Sequence, residues 1–151
     1  MNRILSLALT VSLGAALAAA SAPASAKGLK WMDGAPAGLP AGAQFAVIKG
    51  NPMKAGPFTI RIKAPANFTV PPHHHPSDEV VRVIGDGTLS YGMGDKLDRS
   101  NVGALTKGYH ITMAAGMNHY VFSSDPLTVQ VEGTGPFQII YVDPKDDPRN
   151  K

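Results

Sequence analysis

The sequence predicts an all-β fold, a sandwich or barrel made of one domain, and three observations support this prediction. The 151 residues include 16 glycines and 13 prolines, a density too high for a helical bundle and typical of a chain with many tight turns. Hydrophobic residues make up 44% of the chain, which is enough to build a core. No window has a helical period of useful length, whereas short β-patterned runs recur at close spacing.

The first 26 residues have the pattern of a secretory signal peptide. Arg3 gives a short positive region, an apolar stretch follows over 4–20, and Ala24-Ser25-Ala26 supplies the small residues that a signal peptidase reads. The alternative is a membrane anchor, but an alanine-rich stretch of this length, interrupted by polar residues, is marginal for a span. We therefore expect cleavage after Ala26, export to the bacterial periplasm, and no stable membrane insertion of the cleaved protein.

The rest of the chain divides into three parts. Residues 27–43 are rich in glycine and proline and predict an irregular lead-in, residues 44–143 predict the β-barrel, and the polar residues 144–151 predict a flexible tail. Turn residues such as Pro71-Pro72 and Gly85-Asp86-Gly87 separate the β-patterned runs. The predicted strands are 45–49, 58–63, 68–70, 79–84, 88–91, 109–113, 119–122, 127–132 and 137–142.

Composition excludes several classes of function. The chain has no cysteine, which excludes disulfides, thiolate catalysis and thiolate metal sites. The 14 basic and 11 acidic residues are scattered along the chain, so the net charge of +3 predicts a solvated surface and no nucleic-acid partner.

One acidic residue stands where an apolar side chain is expected. In the run 79–84, Glu79 shares a face with Val81 and Val83, because side chains alternate along a strand. A lone carboxylate among valines is costly unless it is paired or bound to a metal. This position makes Glu79 a candidate functional residue.

Two histidines precede this carboxylate at a spacing that suits a metal site. His73 and His75 are two residues apart, so on an extended strand they point the same way and His74 points the opposite way. The intervening Pro76-Ser77-Asp78 predicts a turn that folds Glu79 back beside them. A glycine turn further along ends in His119, which can supply a fourth ligand. Two or three imidazoles with a carboxylate form a site for one divalent ion.

These residues resemble the paired motifs of the cupin superfamily. The first motif, His-x-His-x3-Glu, is matched by His73, His75 and Glu79, and the second, Gly-x5-Pro-x-Gly-x2-His, is matched by Gly108, Gly116 and His119. The resemblance covers residues 43–142 and is closest to small, exported, single-domain cupins.

Four positions depart from the motifs without touching a ligand. Asn67 stands in place of a glycine, and asparagine tolerates left-handed backbone nearly as well. Gly85 and Gly87 flank the position of another motif glycine, Ala114 replaces a proline and Ser123 replaces an asparagine. His110 lies inside the second motif but matches no ligand position, and we expect it to line the pocket or pack.

The resemblance implies a cupin-type jelly-roll β-barrel, open at one end, with three histidines and one glutamate around a metal. It implies that each motif forms one hairpin and that the two hairpins face each other. Metals of the family include iron, manganese, nickel, cobalt, copper and zinc, and this donor set does not choose among them. The resemblance also allows a homodimer.

Three functions follow as alternatives. Four protein ligands leave two positions of a six-coordinate ion for a small-molecule substrate and for dioxygen or water, which makes a metal-dependent oxygenase the leading hypothesis. An isomerase or decarboxylase would use the same ion as a Lewis acid. A non-enzymatic module would use it to bind a small ligand or to staple the barrel.

Overall fold

The fold is all-β, as the sequence predicts, in the computed structural model, which describes residues 28–151. The expected signal peptide, residues 1–26, lies outside the described residues. None of the described helices has the length and apolar composition that a membrane span requires.

The described residues form eleven strands and three short 3₁₀ helices. The strands are β1 Met32–Asp33, β2 Gln44–Lys49, β3 Gly56–Ala64, β4 Phe68–His74, β5 Glu79–Val83, β6 Leu89–Met93, β7 Gly103–Leu105, β8 His110–Met113, β9 His119–Ser123, β10 Leu127–Gly135 and β11 Ile140–Tyr141. The 3₁₀ helices are Ala35–Ala37, Pro144–Asp146 and Pro148–Asn150.

The strands form two antiparallel sheets that face each other. One sheet has the order β1-β2-β3-β10-β5-β8 and the other has the order β11-β4-β9-β6-β7. Both sheets contribute to one core, which joins Ile60, Val83 and Val131 of the first sheet to Val70 and Leu89 of the second. This arrangement is the jelly-roll sandwich that the sequence predicts.

Alternation along the strands decides which side chains enter the core. On β3, Ile60 and Ile62 are buried in it, whereas Arg61, between them, lies opposite Gln130 of β10 on the other face of the sheet. On β5, Glu79 shares the inward face with Val81 and Val83 and is only 7% exposed to solvent. The predicted burial of Glu79 is therefore confirmed.

The consecutive prolines were predicted to separate strands, but they lie inside β4. Proline has no N–H to give to a neighbouring strand, so two of them normally interrupt a ladder. Here the register between β4 and β9 shifts between Val70 and His73, and the irregularity accommodates both prolines. Pro72 still contributes its carbonyl, which accepts a hydrogen bond of 2.9 Å from the N–H of Val142.

The two ends of the described region have more regular structure than the sequence predicts. The lead-in contains β1, which pairs with β2, and one 3₁₀ helix. The tail forms two consecutive 3₁₀ helices, each preceded by an aspartate whose carboxylate accepts a backbone hydrogen bond, Asp143 from Lys145 and Asp147 from Arg149. The flexibility of the tail and the domain bounds stay predictions.

Candidate metal centre

Three buried histidines converge between the sheets. His73 of β4 lies directly opposite His119, the first residue of β9, and His75 follows immediately after β4. One ring nitrogen from each lies within 4.8 Å of the others. The ring centroids of His73 and His119 are 4.3 Å apart, and His75 lies 5.0 and 5.3 Å from them. We call these three residues the histidine cluster.

Glu79 reaches the cluster from the opposite sheet. It begins β5, where it lies between Met113 of β8 and Gly133 of β10. Its Oε2 is 3.0 Å from Nε2 of His75, although Glu79 is outside the group of mutually close ring nitrogens. The structure thus brings all four predicted residues to one place. The three histidines form a tight cluster, and the Glu79 carboxylate lies against His75.

One ring nitrogen of each clustered histidine is held by the backbone. In each case Nδ1 donates to a main-chain carbonyl, which can only accept, so the proton of the neutral ring must be on Nδ1. The lone pair of each ring is then on Nε2, which is the tautomer that a metal requires. The bonds join His73 to Pro71 at 2.7 Å, His75 to Gln138 at 2.7 Å and His119 to Met117 at 2.9 Å.

The donor set fits a divalent metal ion. Nε2 of His75 is buried and has no hydrogen-bond partner, and its near neighbour is Oε2 of Glu79 at 3.0 Å. A buried polar atom without a partner is costly, and a cation beside this nitrogen and the carboxylate would satisfy both. Imidazole and carboxylate donors suit iron, manganese, nickel, cobalt, copper and zinc alike.

Burial and neighbouring charge set the protonation of the cluster. Burial, together with the nearby His119 and His75 rings, holds the pKa of His73 well below its usual range, and burial likewise lowers the pKa of His119. Burial also disfavours the charged form of His75, but the Glu79 carboxylate outweighs it and raises the pKa of His75. Two of the three rings therefore favour the neutral form that binds metal.

The other histidines do not join the cluster. His74 is bonded elsewhere, since its Nδ1 lies 2.9 Å from Oδ1 of Asn118, and its outward orientation stays a prediction. The expectation that His110 lines the pocket or packs is wrong, because it is exposed, opposite Arg82 on β8. The alternation of β8 buries Met113 and turns His110 away.

The two motifs do not form separate hairpins, contrary to the implied arrangement. β4 pairs with β9 and β5 pairs with β8, so each motif crosses from one sheet to the other. The turn after His75 spans the two layers, which places the histidines on one sheet and Glu79 on the facing one. This crossing is the reason that the four side chains meet in the interior.

The sequence reasoning missed the segment that covers His75. Phe137 stacks on the His75 ring with centroids 5.4 Å apart and planes at 20°, and the carbonyl of Gln138 orients the ring. Tyr141 of β11 pairs with His73. A backbone carbonyl carries no sequence signal, so no motif could have identified the role of Gln138.

A cavity of about 70 Å³ adjoins the histidine cluster. Its walls come from both sheets and from the segment that covers His75. The three histidines and Glu79 line it, together with hydrophobic residues that include Ile62, Val121 and Phe137. The site therefore has room beside it for a small molecule.

Two facing antiparallel sheets with buried histidines between them define a β-sandwich protein with a histidine-lined interior. Solved structures with this fold match the chain. An RmlC-like cupin from Shewanella frigidimarina is 14% identical with a TM-score of 0.57, over 73% of this chain and 86% of that one. The polyketide cyclase RemF from Streptomyces resistomycificus is 16% identical with a TM-score of 0.60, over 80% and 84%.

A third similar structure is the DMSP lyase DddQ from Ruegeria pomeroyi, which is 19% identical with a TM-score of 0.55, over 72% of this chain and 57% of that one. No protein-family model and no curated protein matches the sequence. The structural likenesses show that the chain has the fold of the cupin superfamily. At these identities they show the fold alone, and the similar proteins include enzymes of different reaction types.

Proposed function

We propose that this protein binds one divalent metal ion at His73, His75 and His119, with Glu79 as the fourth ligand. The observation that carries the proposal is the backbone bonding of the cluster: three buried rings each donate from Nδ1 to a carbonyl, which leaves the lone pair of each neutral ring on Nε2, and one nitrogen of each ring lies within 4.8 Å of the others. Such backbone partners orient metal-binding histidines and favour ligation.

We propose further that the protein is a metal-dependent enzyme, with oxygenase activity on a small organic molecule as the leading function. A bound ion would act as a Lewis acid on a substrate oxygen. The chain itself supplies a carboxylate in the apolar interior, where Glu79 can accept a proton from a bound substrate if it is not held as a ligand. The hydrophobic walls exclude water from this position.

The metal site is tested by loading metal-free protein with cobalt, iron, manganese, nickel or zinc and measuring bound metal by elemental analysis. We expect one equivalent in the native protein and a rise in melting temperature on loading. His73→Ala and His119→Ala should each lower the affinity by more than about 100-fold, beyond what loss of a supporting residue costs. His110→Ala, which removes an exposed histidine, should bind like the native protein. Circular dichroism shows whether each variant is folded, and a full equivalent in both cluster variants contradicts the ligand assignment.

The oxygenase function is tested with an oxygen electrode. Iron-, manganese- and nickel-loaded protein should consume dioxygen in the presence of some members of a panel of small enols, and Glu79→Gln should slow this uptake. Absence of uptake with every loaded form favours the second candidate, a non-enzymatic binding module. Among the described residues that line the cavity, Glu79 is the one carboxylate, and this scarcity of acid–base groups is what favours the module.

We also propose that the protein acts in the periplasm after removal of residues 1–26. The support is the sequence pattern of this segment. Protein recovered from a periplasmic fraction should begin at Lys27 on N-terminal sequencing, and an intact Met1 in that fraction contradicts the cleavage.

A further inference from the structure

The cavity beside the histidine cluster is hydrophobic apart from the four proposed ligands. All its other described lining residues are hydrophobic, among them Ile62, Phe68, Val121, Val129 and Phe137. No hydroxyl, amide, lysine or arginine is found among the described residues that line it. A bound molecule would thus meet polar groups at the cluster and hydrocarbon elsewhere.

Two basic residues on strands that wall the cavity, Arg61 of β3 and Arg82 of β5, lie on the other face of the sheet. Arg61 lies between two core isoleucines of β3 and shares the other face of the sheet with Gln130. Arg82 alternates in the same way on β5, and its Nη1 donates to the carbonyl of Gly108 at the surface, 3.0 Å away. Among residues 28–151, the alternation of the strands therefore leaves no side-chain cation in the cavity to pair with a second anionic group of a ligand.

The charge of the site limits what it can neutralise. A divalent ion held by three neutral imidazoles and one carboxylate has a net charge of about +1, which a single anionic oxygen balances. A second carboxylate, hydroxyl or amide that does not reach the ion would lie against hydrocarbon without a hydrogen bond, which is strongly unfavourable.

The size of the cavity limits the body of the ligand. Its volume is about 70 Å³, whereas an apolar cavity of ~150 Å³ holds benzene. The hydrophobic part of a bound molecule is therefore restricted to a few carbon atoms.

We infer, on the basis of the proposed metal site, that the ligand is a small molecule with one acidic oxygen donor on a short aliphatic body. The site binds the donor oxygen at the metal and packs the aliphatic body against Val121 and the neighbouring hydrophobic walls. Dicarboxylates, polyols and sugar acids are disfavoured, because any further polar group that does not itself reach the ion finds no partner among the hydrophobic walls.

The test uses three probes of similar shape on the cobalt-loaded full chain, with binding followed by the visible absorption of the cobalt. Isovalerate carries one carboxylate on a branched aliphatic body, malonamate replaces this body with an amide, and malonate replaces it with a second carboxylate. Malonate can chelate a divalent ion through both carboxylates, so a preference for isovalerate has to come from the cavity. We expect isovalerate to bind at least about tenfold more tightly than either polar probe, the discrimination that unpaired polar groups impose.

A pair of isosteric variants locates the source of the preference. Val121→Thr places a hydroxyl on the cavity wall, two residues after His119 on the same strand, and should reduce the preference for isovalerate severalfold. Val80→Thr makes the same change on β5 at a half-buried position that does not line the cavity, and should leave the preference unchanged.

The outcomes separate this inference from the proposed function. Failure to take up cobalt, iron, manganese, nickel or zinc overturns the metal site and this inference with it. Cobalt uptake with tighter or equal binding of malonate or malonamate, or with no binding of any probe, overturns the ligand class and leaves the metal site standing.

Discussion

At the scale of single residues, the backbone carbonyls do as much for the candidate site as the side chains. A neutral imidazole can carry its proton on either nitrogen, and the bond from Nδ1 of His75 to the Gln138 carbonyl selects one of them. The same selection occurs at His73 and His119. The cluster is therefore preorganised for a cation before any cation arrives.

Glu79 controls the charge of His75, and replacing it should show this directly. Glu79→Gln removes the negative charge beside Nε2 of His75, so the pKa of His75 should fall toward that of a buried, uncompensated imidazole. Imidazole nitrogen NMR of metal-free protein across a pH series measures this pKa. Metal affinity should also fall, by about tenfold or more.

The chain offers a matched control, because it has only one other glutamate. Glu132 lies on the other face of β10 and accepts a hydrogen bond of 2.8 Å from Gln130. Glu132→Gln should leave both the pKa of His75 and the metal affinity unchanged. An unchanged pKa of His75 in Glu79→Gln would show that the carboxylate is not the source of the shift.

The motif departure at Asn67 keeps the backbone conformation that a glycine would adopt there. Asn67, which stands where the motif has glycine, has a φ of 57°, in the left-handed region that asparagine tolerates. Gly108 and Gly116 of the second motif also have positive φ, at 91° and 71°. The two motif glycines that the sequence retains are thus at positions that need left-handed backbone.

At the scale of elements, the segment between β10 and β11 forms the wall that positions His75, and the tail holds this wall. Nη2 of Arg149 donates to the carbonyl of Ile139 at 2.8 Å, one residue after the Gln138 carbonyl that binds His75. Asp147 holds the same guanidinium through contacts of 2.8 and 2.7 Å. The tail is therefore linked to His75: Arg149 binds the carbonyl of Ile139, and the carbonyl of the preceding residue, Gln138, binds the His75 ring.

Arg149→Ala should loosen this wall. Loss of the charged hydrogen bond to Ile139, discounted for the partial exposure of Arg149, should reduce the free energy of unfolding by about 1 kcal/mol. Metal affinity should fall by about tenfold, at the lower end of the range for supporting residues. Urea denaturation and metal competition measure the two effects.

A second ion pair serves as the control for Arg149. Lys107 lies 3.3 Å from Asp86, and both side chains are largely exposed. Lys107→Ala should leave stability and metal affinity close to native. If Arg149→Ala retains native metal affinity, the wall does not depend on the tail.

At the scale of the whole molecule, burying three histidines makes stability depend on pH. Below a pH of about 6.5 the unfolded chain takes up protons on its histidines, whereas the folded chain resists protonation of His73 and His119, whose pKa values are lowered. The unfolded state then binds more protons, so the free energy of unfolding falls as pH falls toward those lowered pKa values. His75 has a raised pKa, and its stabilising contribution is greatest at acid pH and is lost as pH rises through that value.

Since two of the three histidines oppose protonation, metal-free protein should lose stability between pH 7.5 and 5. Urea denaturation at several pH values in this range measures the effect, and His73→Gln should reduce its slope. Bound metal should steepen the dependence, because protons compete with the ion for the rings. A flat or rising stability toward acid pH would mean that His75 dominates the cluster.

The sequence predicts a structural feature when that feature depends on residues close together in the chain. The strand alternation that buries Glu79 is local, as is the spacing that turns His73 and His75 together, and the structure has both features. The paired motifs predict the fold, which the structure and its similar proteins show. The prediction that the consecutive prolines separate strands is wrong, because a register shift between β4 and β9 accommodates them inside β4. That shift depends on how the two strands pair, which the local sequence does not reveal.

The sequence by itself determined the all-β class, the four candidate side chains and the face on which each lies, because alternation and turn chemistry act between near neighbours in the chain. Only the tertiary structure decided that the motifs cross between sheets, that Gln138 orients His75 and that the cavity has hydrophobic walls. These features depend on contacts between residues far apart in the chain, such as His75 and Gln138. Such contacts form only when both sheets pack.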